Sequence, residues 1–143
     1  MSYEMNASRI ITLDYTRKYW HDPKLEWYHV NDYLEDALAG DMVGQLDNAA
    51  TYSSIEHSGL GRFGDPLSPD GDIDAMKQVH CMLKPKGLFF LGDLQNTDSD
   101  KGELKFNAMR SYGRKRLKML FEGWSLVERP AKKEFVLEKV GKC

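Results

Sequence analysis

The stretch of residues 72–94 constrains the fold more than any other, because an amphipathic helix leads directly into a buried strand. Apolar residues recur every three or four positions, at Ile73, Met76, Val79 and Leu83. This spacing predicts a helix over residues 72–83 with one apolar stripe. Pro85 ends the helix, and after the turn PKG the run LFFLGDL predicts a buried strand over residues 88–94. Such a pair is typical of an α/β sheet with helices on its faces.

The rest of the chain continues this alternation. Strands are predicted over residues 9–15, 25–30, 47–54, 124–129 and 132–140, and further helices over residues 31–41 and 113–123. Asn31 is the expected N-cap of the first of these helices, and Gly40 the expected stop. Leu34 and Leu38 share one of its faces. The pattern predicts one α/β domain over residues 1–143.

Composition and charge exclude several classes of protein. Of the 143 residues, 41% are apolar and 29% are charged, which excludes a disordered chain. No apolar run approaches the roughly 20 residues that span a bilayer, and the N-terminal segment does not resemble a secretory signal. A net charge of -2 gives no general attraction to nucleic acid or anionic lipid. Cys81 and Cys143 indicate no disulfide framework, Cys81 is expected in the core, and a reducing, cytoplasmic setting is predicted.

Gly59, Gly61 and Gly64 stand in the spacing G-x-G-x-x-G. A dinucleotide fingerprint opens a helix directly after a strand and has an acidic residue about 20 positions later. Pro66 follows the last glycine closely, and Lys84 stands where the acidic residue is expected. A tightly turned loop is therefore the favoured interpretation, with a nucleotide or anion binder as an alternative.

A longer stretch around these glycines carries a family resemblance. The stretch SSIEHSGLGRFGDPLSPDGDIDAMKQVHCMLKPKGLFFLGDL closely resembles the signature of the domain of unknown function 268 family. That family in turn resembles a branch of the class I S-adenosylmethionine-dependent methyltransferase fold. The resemblance extends through FNAMRSYGRKRLKMLFEGW and back to ITLDY. It implies a three-layer Rossmann-like sheet, mostly parallel, with an antiparallel C-terminal strand.

The resemblance also implies positions for the cofactor. Asp14, at the end of the first predicted strand, matches the acidic residue that holds the ribose of S-adenosylmethionine. A carboxylate suits this role because it accepts two hydroxyl hydrogen bonds at once. Asp32 matches a position near the adenine ring. Ser54, in the segment SSIEH at the end of the family's fourth strand, is a further expected cofactor contact.

The first strand of the class I fold and its glycine-rich loop are expected to be missing. Ahead of Arg9 stands MSYEMNAS, which has no apolar run and no glycine. Deletion of that central strand would leave a slot roughly 10 Å wide between unpaired backbones. Three alternatives follow: the strand at 9–15 pairs with the strand at 47–54, another chain fills the slot, or the sequence is a partial domain.

The glycine loop also holds the candidate catalytic residues. Glu56 or His57 is expected to remove a proton from a substrate nucleophile, and Arg62 to hold an anionic group beside Asp65. The structural alternative has Glu56 and Asp65 accepting hydrogen bonds from loop amides, with Arg62 in a salt bridge to one of them.

Other polar and aromatic clusters have simpler interpretations. Asp70, Asp72 and Asp74 are assigned to the start of a helix, because they lack the glycine and glutamate of a calcium loop. No metal site is expected from the four histidines. The basic segment 110–118 is interpreted as a solvated helix face. The tryptophans Trp20, Trp27 and Trp124 are interpreted as core or packing residues.

The sequence thus predicts a methyltransferase-like protein, with methyl transfer from S-adenosylmethionine to an oxygen or nitrogen nucleophile. The acceptor is not identified by the sequence: a small molecule or a macromolecule is expected, and nucleic acid is not. In-line displacement at a methyl group needs mainly positioning, so a conspicuous catalytic motif is not required. The alternative is a non-catalytic α/β interaction module that forms a homodimer through an exposed strand.

Overall fold

The computed structural model of the chain describes residues 6–40 and 42–143. Most of the segment MSYEMNAS lies outside the described residues. The prediction that the first strand of the class I fold and its glycine-rich loop are missing falls on this segment and therefore also lies outside them. The chain divides into two compact units, residues 1–41 and residues 42–143.

In residues 6–40, the first unit contains two parallel strands and one helix. They are β1 (Ile10–Asp14), β2 (Leu25–His29) and α1 (Val30–Leu38). The strands pair in register from Ile10 opposite Leu25 to Asp14 opposite His29. These bounds confirm both predicted strands.

Helix α1 begins one residue earlier than predicted, and its N-cap is not Asn31. The chain passes from β2 straight into the helix, so His29 is the N-cap, and its Nδ1 accepts the backbone N–H of Asn31. Tyr33 of this helix is buried, whereas Leu34 is only half-buried. Gly40, with φ of 94°, follows the helix as predicted.

The second unit contains a mixed four-stranded sheet, a hairpin and two helices. In chain order they are β3 (Leu46–Tyr52), α2 (Gly71–Met82), β4 (Leu83–Gly92), β5 (Glu103–Lys105), β6 (Met109–Ser111), α3 (Arg114–Leu120), β7 (Trp124–Ala131) and β8 (Glu134–Lys139). The sheet order is β3-β4-β8-β7. β3 and β4 are parallel, whereas β8 is antiparallel to both β4 and β7. The predicted α/β class and the antiparallel C-terminal strand are confirmed.

The apolar stripe of α2 packs on the sheet. Ile73 and Met76 are buried in one cluster with Phe89 and Leu137 of the sheet. Trp124 completes this core, with its ring 5.4 Å from the ring of Phe89. The helix and strand predicted from residues 72–94 therefore form part of the core of the second unit.

The turn expected at PKG is a bulge within β4. β4 already starts at Leu83, which lies opposite Leu46, and the next paired residue, Leu88, lies opposite Asn48. Lys86 has a φ of 64° within this bulge. The chain thus reverses its direction after α2 within the ladder of β3 and β4.

Three predictions about individual residues are wrong. Cys81 and Cys143 form a disulfide, which joins α2 to the C-terminal segment, and disulfides are typical of oxidising compartments. Arg110 is a buried residue of β6 and not part of a solvated helix face. Trp20 is 45% exposed and is not a core residue. The hairpin β5–β6 was not predicted, because its strands have three residues each.

Each unit has its own parallel strand pair. Among the described strands, β1 pairs with β2 in the first unit, and β3 pairs with β4 in the second. In the described part of the chain, none of the helices has the length and apolarity to cross a membrane.

Candidate functional site

The chain leaves the sheet sharply at the carboxyl end of β3. Ser53 has a φ of 48°, in the left-handed region that non-glycine residues seldom adopt. Its N–H donates to the carbonyl of Gly92, at the end of the parallel neighbour β4. A single 3-10 turn, Ile55–His57, follows. Carboxyl ends of parallel strands are where open α/β sheets place their ligands.

Glu56 lies buried in this turn beside two polar side chains. Only 1% of its surface is exposed. Its Oε1 accepts a hydrogen bond of 2.8 Å from Ser53 Oγ and lies 3.8 Å from His57 Nε2. Ser53 was not among the expected site residues, although its place directly before SIEH at a strand end is a signal that could have identified it.

His57 is held in one tautomer. Its Nδ1 contacts the carbonyl oxygen of Ala108, which only accepts hydrogen bonds, so Nδ1 carries the proton and donates it. Neutral His57 therefore has its lone pair on Nε2, the nitrogen that lies near Glu56. The ring also contacts Phe63 edge-on at 5.6 Å. In this tautomer Nε2 is the ring nitrogen that can accept a proton, and it lies 3.8 Å from the Glu56 carboxylate.

Asp65 occupies the space that a phosphate would need in the glycine loop. Its carboxylate accepts the backbone N–H groups of Gly59 at 2.7 Å, Gly61 at 3.1 Å and Phe63 at 3.2 Å. Burial alone would raise the pKa of Asp65, but the N–H groups of Gly61, Phe63 and Gly59 hold it below its usual value. The loop amides are thus already engaged by the chain's own carboxylate.

The glycines have a backbone function in this loop. Gly59, Gly61 and Gly64 all have positive φ, and α2 starts only at Gly71. The structure confirms the tightly turned loop and gives no helix that opens at the glycines. Gly59 also lies against the backbone of Ser68 and Gly71.

Arg62 and Ser54 are both exposed. Arg62 Nη1 lies 3.5 Å from the carbonyl of Asn107, at the tip of the β5–β6 hairpin. Among the described residues Arg62 has no salt bridge with Glu56 or Asp65, so the expected pairing with one of them is not found. Ser54 is the N-cap of the 3-10 turn, and its side chain makes no capping hydrogen bond.

A buried ion cluster holds the loop and hairpin together. Asp72, with no exposed surface, binds Arg116 through two hydrogen bonds and lies 3.8 Å from Arg110 Nε. Arg110 also donates to the carbonyls of Ser58 and Ser68, on both sides of the glycine loop. No local sequence pattern indicates this cluster, because its charged residues come from three separate elements, α2, β6 and α3.

The expected ribose residue, Asp14, lies in the first unit at the carboxyl end of β1. Its Oδ1 accepts the N–H of Thr16 at 2.8 Å, and its Oδ2 lies 3.2 Å from Lys18 Nζ. These contacts, the Thr16 N–H first, lower the pKa of Asp14. The side chain is 36% exposed, so a ligand hydroxyl has access to an ionised carboxylate.

Asp32 lies at the same end of the β1–β2 ladder as Asp14. It is an exposed residue in the first turn of α1, three residues after His29, which pairs with Asp14 across the ladder. The fold thus brings Asp14 and Asp32 to one edge of the first unit, and Ser54, Glu56 and His57 to one edge of the second. In residues 6–40 and 42–143, no three metal-ligating side chains come together.

A comparison with family models gives one match over almost the whole chain. The family described as "Caenorhabditis protein of unknown function, DUF268" matches residues 1–136. No curated protein matches the chain.

A solved methyltransferase shares the fold. The crystal structure of Burkholderia thailandensis 1,6-didemethyltoxoflavin-N1-methyltransferase, with bound 1,6-didemethyltoxoflavin and S-adenosylhomocysteine, is similar with a TM-score of 0.63 and 14% identity. The match covers 93% of this chain and 62% of the solved chain, so this chain spans less than two thirds of that enzyme's length. At this identity the likeness shows a methyltransferase-like α/β fold.

Proposed function

The chain belongs to the DUF268 family, and we propose that it binds S-adenosylmethionine and takes part in methyl transfer to an oxygen or nitrogen nucleophile. The support is its methyltransferase-like fold together with polar groups at the carboxyl ends of both parallel strand pairs. For the fold we propose a three-layer arrangement with a mostly parallel sheet. In this arrangement the described residues do not supply the strand that comes first in the class I methyltransferase fold.

The position of Asp14 carries this proposal. The carboxylate follows β1 directly, is kept ionised by its neighbours, and is partly exposed. A carboxylate has about four lone-pair positions, and the bonds to Thr16 and Lys18 leave acceptor capacity for a ribose hydroxyl. Within the first unit, Asp14 therefore fits the nucleoside part of the cofactor, with Asp32 near the base. S-adenosylmethionine would supply the electrophilic methyl group.

On the acceptor side, His57 is proposed as the general base. Its Nε2 takes the proton of the acceptor's hydroxyl or amine, while Nδ1 keeps its bond to the carbonyl of Ala108. Glu56 is too deeply buried to touch an acceptor, so we assign it the role of stabilising protonated His57. Arg62, exposed beside this site, is proposed to bind an anionic group of the acceptor. Asp65 shapes the loop and does not contact the acceptor.

Calorimetric titration with S-adenosylmethionine and S-adenosylhomocysteine tests the cofactor proposal. We expect micromolar binding of both, and loss of at least tenfold in affinity for Asp14→Asn, which keeps an acceptor for the Thr16 N–H but removes the charge. Asp36→Asn, an exposed carboxylate on the same unit, is the matched control. Equal affinity of the two variants would contradict the assignment of Asp14.

A non-catalytic module that dimerises is the second candidate. It is favoured by the ladder order, in which β3 has a strand partner on one side only among the described strands. A folded homodimer in light scattering, together with no detectable cofactor binding at millimolar concentration, would favour this candidate over methyl transfer.

A further inference from the structure

We infer that the glycine loop and the β5–β6 hairpin form a docking surface for an anionic lipid membrane. The surface consists of an apolar rim, defined as Phe63, Leu67, Leu104 and Phe106, and of three basic residues beside it, Arg62, Lys101 and Lys105. It goes beyond the proposed function and does not depend on cofactor binding.

The apolar rim is exposed to an unusual degree. Phe106 is 96% exposed, Leu67 82%, Leu104 63% and Phe63 53%. Contiguous exposed apolar side chains mark sites that bind a partner or a membrane. Single exposed apolar residues are normal on a protein surface, so the inference depends on these four lying together.

Contacts between the two segments bring the rim residues together. Leu67 and Leu104 line one groove of about 480 Å³ between the loop and the hairpin. Phe63 contacts the ring of His57, whose Nδ1 bonds to Ala108 in the turn that also contains Phe106. The two phenylalanines are therefore at neighbouring tips. The buried Arg110 of β6 holds this arrangement, because it donates to the carbonyls of Ser58 and Ser68 on either side of the glycine loop.

The charges around the rim favour an anionic surface. Arg62, Lys101 and Lys105 are exposed and, within the described residues, form no salt bridge with a carboxylate. Glu103 is the exposed carboxylate of the same hairpin, Asp65 is buried in the glycine loop, and Asp98 and Asp100 near Lys101 already pair with Lys132 and Arg114. Three exposed cations without a salt bridge therefore stand against one exposed carboxylate here. This local excess exists although the whole chain has a net charge of -2.

The order of residues at the tips of the glycine loop and of the hairpin favours a lipid surface over a protein partner. Arg62 precedes Phe63, and Lys105 precedes Phe106, so each protruding ring has a cation next to it. A ring can enter the boundary between headgroups and acyl chains while the long basic side chain stays with the phosphates. Protruding tips suit a deformable membrane better than the flat face of a folded protein.

Vesicle flotation tests the inference. The full chain should float with phosphatidylcholine vesicles that contain phosphatidylserine, and should bind much more weakly to phosphatidylcholine alone. The double variant F63S/F106S should lose about tenfold or more in affinity, because two rings no longer leave water. The double variant R62Q/K105Q should lose about fivefold per residue, and only with the anionic vesicles.

Two matched variants control for the loss of an apolar side chain, or of positive charge, elsewhere on the surface. L126S removes an exposed apolar side chain of β7, and K77Q/K118Q removes two exposed lysines on the helices; both should bind as the unchanged chain does. Absence of binding, or equal binding of F63S/F106S and L126S, would overturn the inference. So would a concentration-dependent dimer in sedimentation that F63S/F106S abolishes, since the rim would then be an interface between copies.

Discussion

Replacing Gly59 by alanine should destabilise the second unit far more than replacing Gly64, although both belong to the same G-x-G-x-x-G spacing. Both residues have positive φ, 81° and 91°. A Cβ on Gly59 would lie 2.3 Å from the carbonyl oxygen of Ser68 and 3.0 Å from Gly71 Cα. A Cβ on Gly64 would meet nothing within 4 Å. Comparing the two variants therefore separates the free-energy cost of the backbone conformation from the cost of close packing.

The expected magnitudes follow from these two terms. A positive φ costs an alanine about 1–2 kcal/mol, partly offset by about 0.4–1 kcal/mol from the loss of glycine's freedom in the unfolded chain. Gly64→Ala should therefore lower the free energy of unfolding by about 1 kcal/mol. Gly59→Ala adds a backbone clash, and overpacking typically costs about 1–3 kcal/mol. Its total should be about 3 kcal/mol, because Ser68 and Gly71 present backbone atoms that cannot rotate away.

Urea unfolding monitored by tryptophan fluorescence measures both values. The variants should be made in a background with Trp20→Phe and Trp27→Phe, because Trp124 then reports on the core of the second unit alone. Equal losses for Gly59→Ala and Gly64→Ala would refute the explanation of the glycine spacing by close backbone approach.

Two further predictions concern the same unit. Since the pKa of Asp65 is below its unfolded value of about 3.9, this carboxylate stabilises the fold above that pH, and its contribution is lost as pH falls through the folded pKa. Acid titration should therefore show a smaller stability loss below about pH 4 for Asp65→Asn than for the unchanged chain, and parallel curves would contradict the assignment. Cys143→Ser should lower the free energy of unfolding by about 4 kcal/mol, because the disulfide to Cys81 closes a loop with a sequence separation of 62. Peptide mapping without reductant should recover the linked pair, and a free thiol at both positions would contradict the bond.

The sequence located the candidate site better than it assigned the roles. Placing SSIEH at the carboxyl end of a strand was sound, because β3 ends at Tyr52. It did not distinguish Glu56 from His57 as base, since that choice depends on burial and on the carbonyl of Ala108, 51 residues away along the chain. The assignments of both residues as catalytic stay predictions.

What the sequence determined by itself is the alternation of strands and helices, because apolar periodicity and Pro and Gly breaks act over a few neighbouring residues. The helix–strand unit of α2 and β4 follows from that local information. Only the tertiary structure decided that Asp65 fills the glycine loop, that Arg110 is buried beside Asp72, and that Cys81 meets Cys143. The last two join residues at least 38 positions apart, and Asp65 reaches its loop only through a particular backbone path. No local pattern specifies which distant partners will share a low-dielectric interior.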